Sequence, residues 1–291
     1  MQRYAQACEA LALKVGQAAG VAAGAEVLSL ACGAGDELAL WRSHFGAAQV
    51  LGVEADAAWV RPPEVVLGSA TRLDQVAALR GRQFDQILCV DAAYHFHPLQ
   101  AFLHGAWRLL RPGGVLAYSH LVLDQGLDQV RDQVLDQDRP GPLLRASARL
   151  CGLPPAVLMA VPQQQRLLET QGFEQVQVQR LDDAVLGGFA RHVRAQEKHL
   201  GRAAWQRAWW RPALTARLIP ACRAAGLGYA LWAARKPLPG PLHGPVPGPV
   251  PGPVPAHAGL RSEAHGLAGA SADATAGAAA AAPASKRSAT A

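Results

Sequence analysis

Short apolar runs and helical patterns follow one another along most of this chain. Residues 2–19 place apolar side chains three or four positions apart, which predicts an amphipathic helix. Residues 27–30 form the first short apolar run. Similar runs follow at residues 50–53, 65–70, 84–90 and 115–122. Runs without polar alternation are typical of strands that are buried on both faces, so the pattern predicts a mostly parallel sheet.

Helical patterns separate these runs and indicate helices between the strands. They occupy residues 38–45, 73–79, 99–110 and 163–170. A strand at 176–179 and a last strand at 229–235 complete the pattern. Alternating strands and helices predict an α/β, doubly wound fold with helices on both faces of the sheet.

The pattern also divides the chain into segments. We predict a folded domain over residues 1–236 and a disordered tail rich in Pro, Gly and Ala over residues 237–291. Within the domain, residues 123–165 read as an insert that covers the substrate. Its first part, 123–138, predicts a helix with aspartate every fourth residue, and its later part is apolar. The apolar part suits either a lipophilic ligand or plain core packing.

Composition adds limits on compartment and partners. Five cysteines without a C-x-x-C pair predict neither a disulfide framework nor a metal site, and they favour a reducing, cytoplasmic location. The net charge is +6, and residues 187–236 hold ten basic residues but one acidic residue, Glu197. The basic, tryptophan-rich segment 187–217 reads as a solvated face, with association to a membrane surface as an alternative. Binding of nucleic acid is the least favoured interpretation.

The first strand leads into a run of small residues, 31–35, and then into a helix. Small residues let a ligand approach the backbone, and a helix N-terminus presents free N–H groups. The second strand ends at Glu54, whose carboxylate can accept hydrogen bonds from both hydroxyls of a ribose. The sequence therefore predicts a ligand that contains a nucleoside, lying across two strand ends.

Two cofactor classes use such an arrangement. Dinucleotide folds need G-x-G-x-x-G, but here only Gly33 and Gly35 fit, because the third position is Leu38. Four segments instead resemble, in order, the motifs of class I S-adenosylmethionine-dependent methyltransferases. They are 27–35 (VLSLACGAG), 51–56 (LGVEAD), 84–91 (FDQILCVD) and 109–116 (LLRPGGVL).

The resemblance implies a seven-stranded Rossmann-like sheet and S-adenosyl-L-methionine as cofactor. The implied cofactor-binding residues are Ser29, Ala31, Cys32, Gly33, Gly35, Glu54, Ala55, Ala70 and Asp91. Two of them depart from the family pattern. Ser29 stands where the family usually has an acidic residue, and Ala31 stands where it usually has glycine.

The stretch that follows the fourth strand holds the richest chemistry. His95 lies in it, and His120 lies near the end of the fifth strand. An imidazole titrates near neutrality, so both are candidates for a general base, with structural packing as the alternative role.

The resemblance implies methyl transfer to a small, partly lipophilic acceptor molecule. A cofactor-free interaction protein on the same fold, an RNA methyltransferase that uses the basic segment, and a nicotinamide-dependent oxidoreductase stay open as alternatives. Binding of the methyl donor separates the first of these from an enzyme.

Overall fold

A twisted sheet runs through the centre of the computed structural model, which describes residues 2–124, 140–200 and 209–239. The strands are β1 (Glu26–Leu30), β2 (Gln49–Glu54), β3 (Val65–Leu67), β4 (Phe84–Cys89), β5 (Leu110–Leu123), β6 (Met159–Ala160), β7 (Glu174–Arg180) and β8 (Leu227–Arg235). Their order is β3-β2-β1-β4-β5-β8-β7, and the two-residue β6 pairs with β5 outside this path. The seven-stranded path agrees with the predicted sheet.

Strand directions follow the predicted pattern. The strands β1 to β5 pair in parallel, whereas β8 runs antiparallel to both β5 and β7. The order reverses between β1 and β4, because the chain first builds outward to β3 and then returns. In open α/β sheets, ligands bind at such a reversal, outside the carboxyl ends of the strands.

Helices cover both faces of the sheet. They are α1 (Gln2–Ala18), α2 (Asp36–Phe45), α3 (Leu99–Leu109), α4 (Pro142–Leu150), α5 (Val161–Thr170), α6 (Gly188–Leu200) and α7 (Trp210–Ala224). One buried cluster joins the sheet to α1, α2, α4, α6 and α7, and a second joins it to α3 and α5. Along β1, Val27 belongs to the first cluster and Leu28 to the second, as expected when successive side chains point to opposite faces. The doubly wound α/β fold is confirmed.

Three details differ from the sequence prediction or lie beyond the described residues. The helix predicted at 73–79 is two short 3-10 turns, Leu73–Gln75 and Ala77–Leu79, because Val76 between them has an extended backbone. In the described part of the insert, most apolar side chains pack into the core, including Leu144 and Val157. The acidic helix predicted at 123–138 and nearly all of the predicted tail lie outside the described residues, so the domain boundaries stay a prediction.

Candidate active site

The backbone turns sharply where β1 ends. Ala31, Gly33 and Gly35 have positive φ angles of 54°, 55° and 86°. The Ala31 N–H donates to the Val53 carbonyl at 2.7 Å, which ties the turn to β2. A Cβ atom added at Gly33 would meet no atom within 4 Å, so the backbone there faces open space. A Cβ atom at Gly35 would lie 2.6 Å from Leu38 Cδ1, so this glycine lets α2 pack close to the turn.

Glu54 joins the end of β2 to this glycine turn. Its Oε2 accepts from the Gly33 N–H at 2.8 Å, and its Oε1 accepts from the Ala55 and Asp56 N–H groups at 2.8 and 2.9 Å. Glu54, the residue predicted to bind the ribose, therefore lies directly beside the open backbone at Gly33. Ala55 contributes its backbone N–H to the position of this carboxylate.

Ser29 has an acidic partner that the sequence analysis missed. Its side chain is fully buried, and its hydroxyl donates to Glu37 Oε1 from the first turn of α2. Burial raises the pKa of Glu37 to about 7, against the lowering effect of the Ser29 hydrogen bond, and the charges of Asp36 and Glu54 raise it further. Ser29 has no carboxylate of its own, but the half-buried carboxylate of Glu37 lies directly beside its hydroxyl. An acidic residue in the first helical turn after the glycine run was the available signal.

Asp91 forms a second polar centre at the end of β4. Its backbone has a φ of 52°, an uncommon value for a residue other than glycine. Its Oδ1 accepts hydrogen bonds from Tyr229 at 2.6 Å and Tyr94 at 3.0 Å. Its N–H donates to Ser119 Oγ at 2.8 Å, and Ser119 also contacts the Tyr229 hydroxyl. The structure therefore brings β4, β5 and β8 together around one carboxylate, and the sequence analysis missed Ser119 and Tyr229.

Asp91, Tyr94 and His95 surround an accessible position at the end of β4, which we call the Asp91 cleft. The Asp91 side chain is exposed, yet desolvation by the nearby protein raises its pKa, against the lowering effects of Tyr229, Tyr94 and His95. Burial also raises the pKa of Tyr94 and Tyr229, so both stay protonated and donate. A carboxyl group that is both accessible and closely surrounded suits contact with a small ligand.

The two predicted bases lie in different environments. His95 is exposed, its ring is 4.7 Å from that of Tyr94 between centroids, and desolvation lowers its pKa while Asp91 raises it. His120 is fully buried, and desolvation lowers its pKa to about 4. Its Nδ1 lies beside the Leu121 carbonyl. The structure brings His95 to the cleft and places His120 in the core.

The remaining predicted cofactor residues lie around the same edge of the sheet. Cys32 is buried beneath Gly52, and burial raises the pKa of its thiol to about 12, so it stays protonated. Ala70 is buried after β3, where Ser69 and Thr71 share a hydrogen bond of 3.0 Å between their hydroxyls. These residues can contribute shape, backbone groups and a hydroxyl, but no charge.

The helices α1 and α6 contact each other near Asp91. Tyr4 of α1 stacks on His192 of α6 with centroids 4.9 Å apart. The charge of Asp91 raises the pKa of Tyr4 and of Cys8, although desolvation is the larger cause for both. The residues before β1 and the basic segment therefore both reach the neighbourhood of Asp91.

Two arginines of the basic segment form ion pairs within the protein, Arg191 with Asp183 and Arg217 with Glu197. Arg223, which follows the segment, also pairs with Asp183. These pairs reduce the positive charge that this segment offers to a membrane or a nucleic acid. In the described part of the chain, no helix is both long and apolar enough to cross a membrane. Residues 201–208 of the segment lie outside that part.

The site fits a cofactor with a nucleoside and an amino-acid end. The open backbone at Gly33 can admit it, and the Glu54 carboxylate of β2 accepts the Gly33 N–H. The Glu37 carboxylate of α2 lies beside Ser29 at the end of β1. A family model described as "Methyltransferase domain" matches residues 28–118. These residues contain the glycine turn, Glu54 and Asp91. Residues 28–118 are therefore similar to a methyltransferase domain.

Comparison with individual proteins agrees with this assignment. Erythromycin 3''-O-methyltransferase of Saccharopolyspora erythraea is 30% identical over 130 residues, which are 40% of this chain and 41% of the relative. A putative sarcosine dimethylglycine methyltransferase from Galdieria sulphuraria has the same fold, with a TM-score of 0.60 at 17% identity, over 80% of this chain and 86% of that one.

A third methyltransferase has a structure with the cofactor bound. Phosphoethanolamine N-methyltransferase 2 of Haemonchus contortus, in complex with S-adenosyl-L-methionine, has a TM-score of 0.58 at 14% identity, over 78% of this chain and 52% of that one. This chain thus spans about half of that protein and less of the erythromycin enzyme.

Proposed function

We propose that this protein transfers a methyl group from S-adenosyl-L-methionine to a small, partly lipophilic acceptor molecule. The observation that carries the proposal is the convergence of the open Gly33 backbone, the Glu54 carboxylate and the Asp91 cleft on one edge of the sheet. The cofactor would supply a methyl group activated by its positively charged sulfur. The protein would align the acceptor with that methyl group and keep water away, which accounts for much of the rate in such reactions.

Five of the predicted cofactor-binding residues have a role in this proposal at the cofactor itself. Glu54 would hold the ribose hydroxyls, and Gly33 and Gly35 would leave room for the cofactor beside the turn. Ala70 would pack against the adenine ring. The Cys32 thiol, with its pKa near 12, acts as a neutral part of the wall and not as a nucleophile.

Asp91 is the residue best placed to receive a proton from a hydroxyl acceptor. Its Oδ1 is held by Tyr94 and Tyr229, and among the described residues no donor is bound to its Oδ2. The raised pKa of Asp91 makes the carboxylate a stronger base than an ordinary aspartate. His95 would act beside it, since the two charges interact.

The partly lipophilic character of the acceptor rests on two accessible aromatic rings near Asp91, those of Tyr4 and Tyr94. In contrast, most apolar side chains in the described part of the insert pack into the core. The paired arginines Arg191, Arg217 and Arg223 favour a small molecule over RNA as the acceptor.

Calorimetric titration of the full chain with S-adenosylmethionine and S-adenosylhomocysteine tests the cofactor site. We expect micromolar binding, which Glu54→Ala weakens about tenfold or more because the ribose loses a charged acceptor. Glu64→Ala is the matched control, since Glu64 is exposed and pairs with Arg42 away from the glycine turn. A folded protein that binds neither ligand would overturn the proposal in favour of an interaction protein on the same fold.

Transfer of labelled methyl groups to a panel of small aromatic and aliphatic alcohols tests the acceptor side. We expect Asp91→Asn to lower the turnover of any hydroxyl acceptor at least a hundredfold, far more than it weakens S-adenosylhomocysteine binding. Equal turnover by wild type and Asp91→Asn would contradict the proton-accepting role.

A further inference from the structure

Glu37 lies beside the glycine turn, and its carboxylate has no positively charged partner among the described residues. The neutral hydroxyl of Ser29 donates a hydrogen bond to it. Trp41, one helical turn further on, places its Nε1 3.5 Å from the same hydroxyl oxygen. Among the described residues, no lysine, arginine or histidine affects the pKa of Glu37. A half-buried carboxylate without a cation is uncommon, because desolvation disfavours its charged form.

Within the described ranges, the titratable groups that interact with the charge of Glu37 are two carboxylates and two neutral thiols. Asp36 on the same helix and Glu54 on β2 both raise its pKa. Cys32 in the turn and Cys89 at the end of β4 interact with its charge, and burial holds both thiols protonated. Together these groups create a negative, sheltered position that a cation would relieve.

Glu37 lies over the end of β1, between the residue proposed to bind the ribose and the residue proposed to face the acceptor. Ser29 is at the carboxyl end of β1 and pairs in register with Gly52 on β2 and Leu88 on β4. Glu54 at the end of β2 is the ribose ligand of the proposed function, and Asp91 at the end of β4 belongs to its acceptor cleft. The amino-acid end of the cofactor then remains for the position over β1.

We propose that Glu37, held in place by Ser29, binds the ammonium group of the methionine part of S-adenosylmethionine. The inference rests on the proposed function, because it assigns a residue to the cofactor of that same site. An ammonium group has three N–H donors, and one of them can reach the carboxylate while the others bind backbone carbonyls or water. The carboxylate therefore gains from the ligand the positive partner that the described protein does not supply.

The assignment makes cofactor binding depend on pH. With a pKa of about 7, the Glu37 carboxyl group is protonated in most molecules of the free protein at pH 5.5. It must lose this proton to pair with the ammonium group. Affinity should therefore rise about twentyfold between pH 5.5 and 7.5, with release of a proton on binding. α-Amino groups titrate at about 7.7–8.0, so the ligand stays largely cationic in this window.

The test is calorimetric titration of the full chain and of Glu37→Gln with two ligands. S-adenosylhomocysteine carries the ammonium group, and 5′-methylthioadenosine keeps the nucleoside and the sulfur but lacks the amino-acid part. Titrations at pH 5.5, 6.5 and 7.5, in two buffers with different ionisation enthalpies, give the affinity and the number of protons released. Asp36→Asn serves as the matched control, because it removes an exposed carboxylate from the same helical turn.

We expect Glu37→Gln to weaken S-adenosylhomocysteine at pH 7.5 about tenfold to a hundredfold, to flatten the pH dependence and to abolish proton release. It should leave 5′-methylthioadenosine within about twofold of wild type, which also shows that the variant is folded. Asp36→Asn should keep the pH dependence. If wild type binds S-adenosylhomocysteine and Glu37→Gln binds it equally well, only this inference is overturned. If folded wild type binds neither ligand, the proposed function fails and the inference fails with it.

Discussion

At the scale of single residues, three carboxylates at one sheet edge have three different environments. Glu54 accepts three backbone N–H groups, which stabilise its charge. Asp91 accepts two tyrosine hydroxyls on one oxygen and leaves the other accessible. Glu37 has a serine hydroxyl and acidic neighbours, and its pKa rises to about 7. Hydrogen bonding to the charged form and burial act in opposite directions, and their balance differs at each position.

Glu37 should lower the stability of the free protein above neutral pH. Its pKa is raised from 4.5 to about 7 by folding, so the native state holds a proton in this range that the unfolded state has lost. The favourable contribution of the protonated form is complete below pH 4.5 and is lost as pH rises through 7. Replacing the carboxyl by a neutral amide removes this loss.

Accordingly, Glu37→Gln should be more stable than wild type at pH 8, by about 1 to 3 kcal/mol, and equal to it near pH 4.5. Urea denaturation at both pH values measures the difference, with Asp36→Asn as the control for charge at this helix terminus. A variant that is less stable than wild type at pH 8 would show that the carboxylate has a positive partner in the free protein.

At the scale of helices and strands, local pattern was sufficient for most of the fold. The run at 27–30 and the run at 50–53 predicted β1 and β2, because strands buried on both faces need continuous apolar residues. The same reasoning failed at 73–79, where apolar spacing predicted a helix and the chain forms two 3-10 turns. Spacing alone does not show that Val76 has an extended backbone.

The candidate site was predictable only where its residues follow strand ends. Gly33 and Glu54 were found because a glycine turn and an acidic strand end are local signals. Tyr229 is 138 positions from Asp91 in sequence, and they meet because β8 inserts beside β5. The contact between Ser29 and Glu37 depends on the direction in which α2 leaves the turn. Such contacts need the assembled sheet, so no local pattern could indicate them.

Ion pairs also connect separate strands and loops, and the sequence pattern does not predict these pairs. Arg180 at the end of β7 pairs with Asp124, which follows β5, and with Asp182. Asp182 in turn accepts from the Tyr229 N–H at 2.6 Å. The antiparallel edge is therefore tied at the same end of β8 that carries Tyr229 to Asp91, so this cluster supports the position of the acceptor cleft.

At the scale of the whole molecule, contacts indicate where the domain closes. Lys236 donates from its Nζ to the carbonyls of Trp107 and Leu110, both at 2.8 Å, and its carbonyl accepts from the Gly113 N–H at 2.9 Å. Two residues later, Leu238 is 71% exposed. These observations are consistent with a folded domain that ends shortly after Lys236.

A chain that ends at residue 239 should therefore keep the stability and cofactor affinity of the full protein. We expect its thermal midpoint to lie within about 2 °C of the full chain, and its affinity for S-adenosylhomocysteine within about twofold, because the sequence beyond offers little apolar surface to bury. Lys236→Ala in the shortened chain is the informative comparison. It removes the donor to the carbonyls of Trp107 and Leu110 and should lower the midpoint by several degrees. If truncation at 239 alone lowers the midpoint or the affinity that much, residues beyond 239 contribute to the fold or to the site, and the predicted boundary is wrong.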